Sequence, residues 1–169
     1  ETFGDVDDML EDDDIDLVVV ATPHNTHAEL SVKAMDAGKH VVVEKIMCMN
    51  TEEADAMIEA SKRNDVMLTV FHNRRWDGDY LTVREALDKG ILGEPYLIEE
   101  SIMWYAEGVD PSGWRSSKGR GGGYLYDWGA HLVDHAIQIG KVPVDRIYCY
   151  AAKLRKEVDI ECYIKCLIH

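Results

Sequence analysis

Three short runs without polar alternation dominate this chain: Leu17-Val18-Val19-Val20-Ala21, Val41-Val42-Val43 and Val66-Met67-Leu68-Thr69-Val70-Phe71. Runs of this kind are the pattern of strands buried on both faces, which favours a parallel sheet over a half-exposed antiparallel one. Two helical stretches separate them. Residues 26–37 set Ala28, Leu30, Val32, Ala34 and Met35 along an apolar side, and Gly38 stands where a helix C-terminus takes a left-handed residue. Asn50 or Thr51 caps the second stretch, with Glu52 and Glu53 in its first turn, where the helix dipole favours acids. Strand, helix, strand, helix, strand predicts right-handed crossovers and a doubly wound α/β sheet.

Beyond Arg75 the pattern changes. Residues 81–87 read as a helix ending near Gly90, residues 96–104 as a strand, and residues 124–140 as a long helix. Residues 146–154 and 159–168 read as two further strands. The expected fold is therefore α/β: the C-terminal half of a Rossmann-type parallel sheet in residues 1–75, then an α+β domain with an open-faced, largely antiparallel sheet in residues 76–169. A dinucleotide-binding sheet opens with a strand feeding G-x-G-x-x-G into a helix. Residues 1–16 hold only Gly4, and the Gly119–Gly123 cluster has no apolar strand before it. The chain thus reads as the middle of a larger protein, without its first βαβ unit.

Charge and cysteine usage narrow the partners. The 169 residues carry a net charge of −14, and nine acids fall in residues 1–16, which contain no base, leaving about −5 for the rest. Nucleic acid is a poor partner for such a surface, because binding it requires Lys and Arg to neutralise phosphates, and none is expected. No apolar run reaches the roughly 18 residues of a membrane span, and no secretory leader is visible. The four cysteines lack zinc-like spacing and read as reduced thiols of a cytoplasmic protein.

Two places suggest chemistry. Glu44-Lys45 follows the second run directly, at the carboxyl end of a strand, the edge where open α/β sheets bind ligands. A half-desolvated Lys there can hydrogen-bond a hydroxyl or a developing alkoxide, or it is simply a surface ion pair. Thr22-Pro23-His24-Asn25 occupies the equivalent exit of the preceding strand. On the long helix, Asp127, His131 and Asp134 are spaced i, i+4, i+7 and share a side. That stripe reads as a solvated polar face, as a carboxylate–imidazole acid/base pair, or, with His24, His27 and His135, as part of a metal cage. His135, one step off the stripe, reads as structural or exposed.

These residues also form a familiar series. Ala21-Thr22-Pro23 with His27, Ala37-Gly38-Lys39-His40-Val41 leading into Glu44-Lys45, the junction Phe71-His72-Asn73-Arg74-Arg75-Trp76-Asp77, Gly90-Ile91-Leu92-Gly93-Glu94, and Gly121-Gly122-Gly123 followed by Asp127-x-Gly129-x-His131-x-x-Asp134 together resemble the glucose–fructose oxidoreductase/inositol dehydrogenase (Gfo/Idh/MocA) family. The resemblance runs from about residue 16 to residue 150. It implies NAD or NADP on the Rossmann domain, a sugar, inositol or related polyol on the second domain, and hydride transfer between them. Lys45 would position the reacting hydroxyl, His131 would be the general acid/base, and Asp127 would support it. Thr22, Pro23, Asn25, His27, Glu44 and Lys45 would line the cofactor, and Arg74, Trp114, Arg115, Asp127 and His131 the substrate. Polyol selectivity would depend on the loop from Trp104 to Lys118. A homo-oligomer, dimer or tetramer, through the second-domain sheet is also implied.

One departure stands out. The family places Pro after the Glu-Lys pair, whereas this chain has Ile46, for which a trans peptide bond is expected. The alternative reading of the whole chain is a non-catalytic fragment that serves at most as a binding or oligomerisation module.

Overall fold

The computed structural model describes residues 2–103 and 110–169. Trp104, which carries the end of the expected strand and the start of the selectivity loop, lies outside the described residues. The chain divides into two compact units, Glu1–Phe71 with Gly119–Gly121, and His72–Lys118 with Gly122–His169.

In the first unit a short helix, α1 (Val6–Leu10), begins on Asp5, whose carboxylate accepts the Asp7 N–H at 2.9 Å. Strands β1 (Leu17–Val20), β2 (His40–Glu44) and β3 (Leu68–Phe71) form a parallel sheet in the order β1-β2-β3. The connections are α2 (His27–Asp36) and α3 (Thr51–Asn64). α2 ends with Gly38 at φ 78°, while the Lys39 N–H reaches the Ala34 carbonyl and the Gly38 N–H reaches Met35, a closed left-handed terminus. The Lys39 ammonium then donates to the Asp12 carbonyl at 2.8 Å, and His40 Nδ1 accepts the Met67 N–H at 2.9 Å. α3 is capped reciprocally: the Asn50 side-chain oxygen takes the Glu53 N–H, and the Glu53 carboxylate takes the Met49 N–H, each at 2.8 Å.

The core lies between one face of this sheet and the two helices, where Met35, Met57, Val41 and Val43 are fully buried. Each contributes roughly 1.5–3 kcal/mol by leaving water. Contrary to the expectation from the apolar runs, the strands are not buried on both faces. Because the sheet order advances in one direction, α2 and α3 pack against each other and against the same face. Leu17, Val19 (61% exposed) and Phe71 point the other way.

The second unit contains α4 (Gly78–Asp88), α5 (Ala130–Gly140), and the antiparallel pair β4 (Ile147–Ala152) and β5 (Tyr163–Ile168). Residues 96–103 form no strand, a second correction: Tyr96 is 98% exposed, and among the described residues no strand pairs with this segment. Strand propensity expresses fit to a neighbour, and among the described residues β4 and β5 pair with each other. The last strand is also shorter than the expected 159–168, with Ile160 buried outside the ladder. The long helix is not uniform either. Its first part, Leu125–Gly129, is a π-helical turn that runs directly into α5. No helix among the described residues is long and apolar enough to cross a membrane.

Candidate functional site

In the first unit, the parallel register sets Val20 beside Val43 and Glu44 beside Phe71, so the strand exits lie along one carboxyl edge. His27 ties two of these exits together. Its ring is 0% exposed, with Nδ1 2.6 Å from the Ile46 carbonyl and Nε2 2.9 Å from the Thr22 carbonyl. The Lys45–Ile46 bond is cis, not trans as expected for a non-proline residue. Lys45 itself is half-buried, and its N–H lies 3.2 Å from the Glu44 carboxylate.

Thr22 and Asn25 are exposed, whereas Pro23 is half-buried. The Thr26 hydroxyl donates to the Pro23 carbonyl at 2.8 Å and lies 2.7 Å from the Thr22 hydroxyl. With its single proton so used, Thr26 accepts from Thr22, which keeps lone pairs for another donor. His24 is buried, its Nδ1 2.7 Å from the Gly121 carbonyl. Gly121 has φ 76°, and a Cβ there would stand 2.5 Å from His24 Cβ and 2.7 Å from Met49 Sδ. This glycine is required by close packing, and it needs no phosphate to explain it.

In the second unit, Asp127 sits within the π turn, a form found often at functional sites. Its carboxylate lies 3.6 Å from Arg115 Nε, and the Arg115 guanidinium stacks 4.5 Å over Trp114. His131, on the first turn of α5, is 4% exposed and meets Trp128 edge-on at 6.0 Å. Arg74 covers the Trp128 ring at 4.3 Å and donates to Asp77 at 2.8 Å. The solvated-face reading of the stripe therefore fails.

Asp134, further along α5, is held by Arg75. Arg75 grips its carboxylate through Nε at 2.7 Å and Nη2 at 2.5 Å. Burial works to raise the Asp134 carboxyl, but Arg75 and the nearby histidines outweigh it and hold it below its ordinary 3.8. Burial pushes the His72 imidazole down despite Asp134 at 3.8 Å, so Arg75, rather than His72, holds the carboxylate. His135 stacks on Tyr80 at 4.1 Å, with one ring nitrogen 3.2 Å from the Arg74 carbonyl and the other 3.7 Å from Glu100, whose carboxyl burial pushes up. Among the described residues no group of three or more His, Cys, Asp or Glu side chains could hold a metal ion.

Sequence reasoning missed Glu161, whose carboxylate accepts the Leu125 N–H at 2.8 Å and so fixes the start of the π turn. No local pattern links positions 36 residues apart. Arg75 stood inside a quoted motif, but nothing in its spacing named Asp134 as its partner.

The Asp134 pairing has a consequence in acid. A carboxyl depressed in the fold stabilises it above the ordinary carboxylate range, and that contribution is lost as pH falls through the folded value. Asp134→Asn is expected to cost about 1–2 kcal/mol at neutral pH, discounted for the exposed side of Arg75. Urea denaturation should show the gap to the unsubstituted protein closing below about pH 4.

Residues 1–72 match the oxidoreductase family with an NAD-binding Rossmann fold, Gfo/Idh/MocA, and residues 80–169 match the GFO/IDH/MocA C-terminal domain. The scyllo-inositol 2-dehydrogenase (NADP(+)) IolW of Bacillus subtilis is 35% identical over 143 residues, covering 85% of this chain and 40% of that protein. The myo-inositol 2-dehydrogenase of Thermotoga maritima is 36% identical over 98 residues, covering 58% of this chain and 29% of that protein. The WlbA dehydrogenase of Bordetella pertussis, solved with NADH and UDP-GlcNAcA, aligns with a TM-score of 0.87 and 28% identity over 98% of this chain and 48% of its own. The chain spans less than half the length of each of these relatives. With both stretches matched, and the Rossmann-type parallel sheet and separate antiparallel pair that the motifs implied, the chain belongs to the Gfo/Idh/MocA oxidoreductase family.

Proposed function

We propose that this protein is an NAD(P)-dependent dehydrogenase acting on a CH–OH group of a sugar, an inositol or a related polyol. The observation that carries the reading is the buried imidazole of His131, just beyond an aspartate held in a π turn, in a chain of this family. An excluded-water histidine with a nearby carboxylate is suited to moving a proton at neutral pH. The first unit fits a nicotinamide at its carboxyl edge: Thr22 keeps acceptor lone pairs, Asn25 is exposed, and Pro23 and Glu44 flank them. When bound, that group supplies the hydride acceptor or donor.

Lys45 donates a hydrogen bond to the reacting oxygen and steadies alkoxide character on it. His131 takes the hydroxyl proton on a ring nitrogen and returns it in the reverse direction. Asp127 supports the charge that forms on His131, while Arg115, Trp114 and Arg74 hold the polyol. His27 acts as a strut between the Thr22 and Ile46 carbonyls. The exposed Tyr148, Tyr150 and Leu167 face of the β4–β5 ribbon supports a homo-oligomer, and four free thiols accord with the cytoplasm.

Fluorescence titration with NADH and NADPH tests the cofactor half. Micromolar binding is expected, weakened about tenfold by Lys45→Ala, since Lys45 also lines the cofactor and would contribute one charge-assisted contact to it. The substrate half is tested by following nicotinamide reduction by the intact protein across inositols and aldoses. Cofactor binding without reduction by any polyol would overturn the reaction class.

A further inference from the structure

We propose that Cys149 and Cys166 form a cross-strand dithiol that closes to a disulfide by exchange with a small-molecule disulfide such as oxidised glutathione, stapling β4 to β5. The two residues stand directly opposite each other in the antiparallel register. Arg146 and His169 exchange both of their backbone hydrogen bonds, at 3.0 and 2.9 Å. Counting along the alternation, the Cys149–Cys166 pair falls at a non-hydrogen-bonded position, where facing side chains come closest. Cα separations there are about 4.5 Å, within the range that a disulfide spans. The thiols already touch, with the Cys166 S–H directed at the Cys149 sulfur 2.8 Å away.

Exposure assigns the order of events. Cys149 is exposed and Cys166 half-buried, on the ribbon face opposite Tyr148, Tyr150 and Leu167. Burial and the neighbouring thiol push Cys166 up to about 11, which makes it the later of the two to react. The Cys149 thiolate attacks one glutathione sulfur, forming a mixed disulfide and releasing one glutathione thiol. Cys166 then loses its proton, and its thiolate attacks the Cys149 sulfur and displaces the second glutathione. In balance, two protein thiols are oxidised, one glutathione disulfide is reduced to two thiols, and the two protein protons end on glutathione.

The intact protein is treated with millimolar oxidised glutathione, quenched with N-ethylmaleimide and digested with trypsin without reductant. Cleavage after Arg146, Lys153 and Lys165 separates Cys149, Cys162 and Cys166 into different peptides. The expected product is a link between the peptide Ile147–Lys153 and the peptide beginning at Cys166, lighter by two hydrogens than the unlinked pair. The thiol titre falls by two, returns with dithiothreitol, and does not fall by this route in Cys149→Ser. A glutathione adduct that persists on Cys149, a link to Cys162, or a link between chains would each overturn the proposal.

Discussion

His131→Ala is expected to lower turnover by about 10²- to 10⁴-fold, the range for losing a positioned general acid/base, while NAD(P)H affinity changes little. The imidazole is buried at the start of α5 and packed edge-on against Trp128. Water entering the vacated space has neither its basicity nor its fixed position. Loss of a buried ring also costs stability, so His131→Gln serves as a second variant that fills the site without titrating near neutral pH. Both variants should lose turnover together, and the pH profile should lose the limb that the imidazole supplies. Near-normal turnover in either folded variant would remove His131 from the proton-transfer role.

Gly122→Ala is expected to destabilise the second unit by about 3 kcal/mol, the scale of a backbone clash that side-chain repacking cannot relieve. A Cβ at this position would stand 2.3 Å from the Arg115 carbonyl oxygen and 2.8 Å from that of Ser117. Both carbonyls accept local backbone bonds, from the Gly123 and Gly122 N–H groups. To make room, the loop must break those bonds and move Arg115 away from Asp127. The control is Gly119→Ala, where a Cβ meets nothing within 4 Å. Urea denaturation should separate the two variants clearly, and equal midpoints would refute the packing account of the triple glycine.

The parallel sheet, its crossovers and α5 were legible because apolar periodicity reports burial, and burial dominates folding. Several motif residues turned out to act structurally in ways the pattern could not say. Gly38 and Lys39 close a helix and tie it to Asp12, and His27 holds two carbonyls. What stayed hidden is tertiary. The grip of Arg75 on Asp134 and the hold of Glu161 on Leu125 join residues whose local sequence preferences carry no trace of one another. The expected strand at residues 96–103 differs for the converse reason: its local preference is adequate, but among the described residues no strand pairs with it.

The carboxyl edge of the three-stranded sheet separates two kinds of inheritance. Val41 and Val43, which hold the core, end where Glu44 and Lys45 begin, and the same boundary falls between Val20 and Thr22. Substitutions of the exposed Thr22 and Asn25 beyond that boundary come at little cost to foldedness, whereas buried His24 and His27 couple the edge to the core. The edge can therefore diverge while the scaffold beneath it is kept.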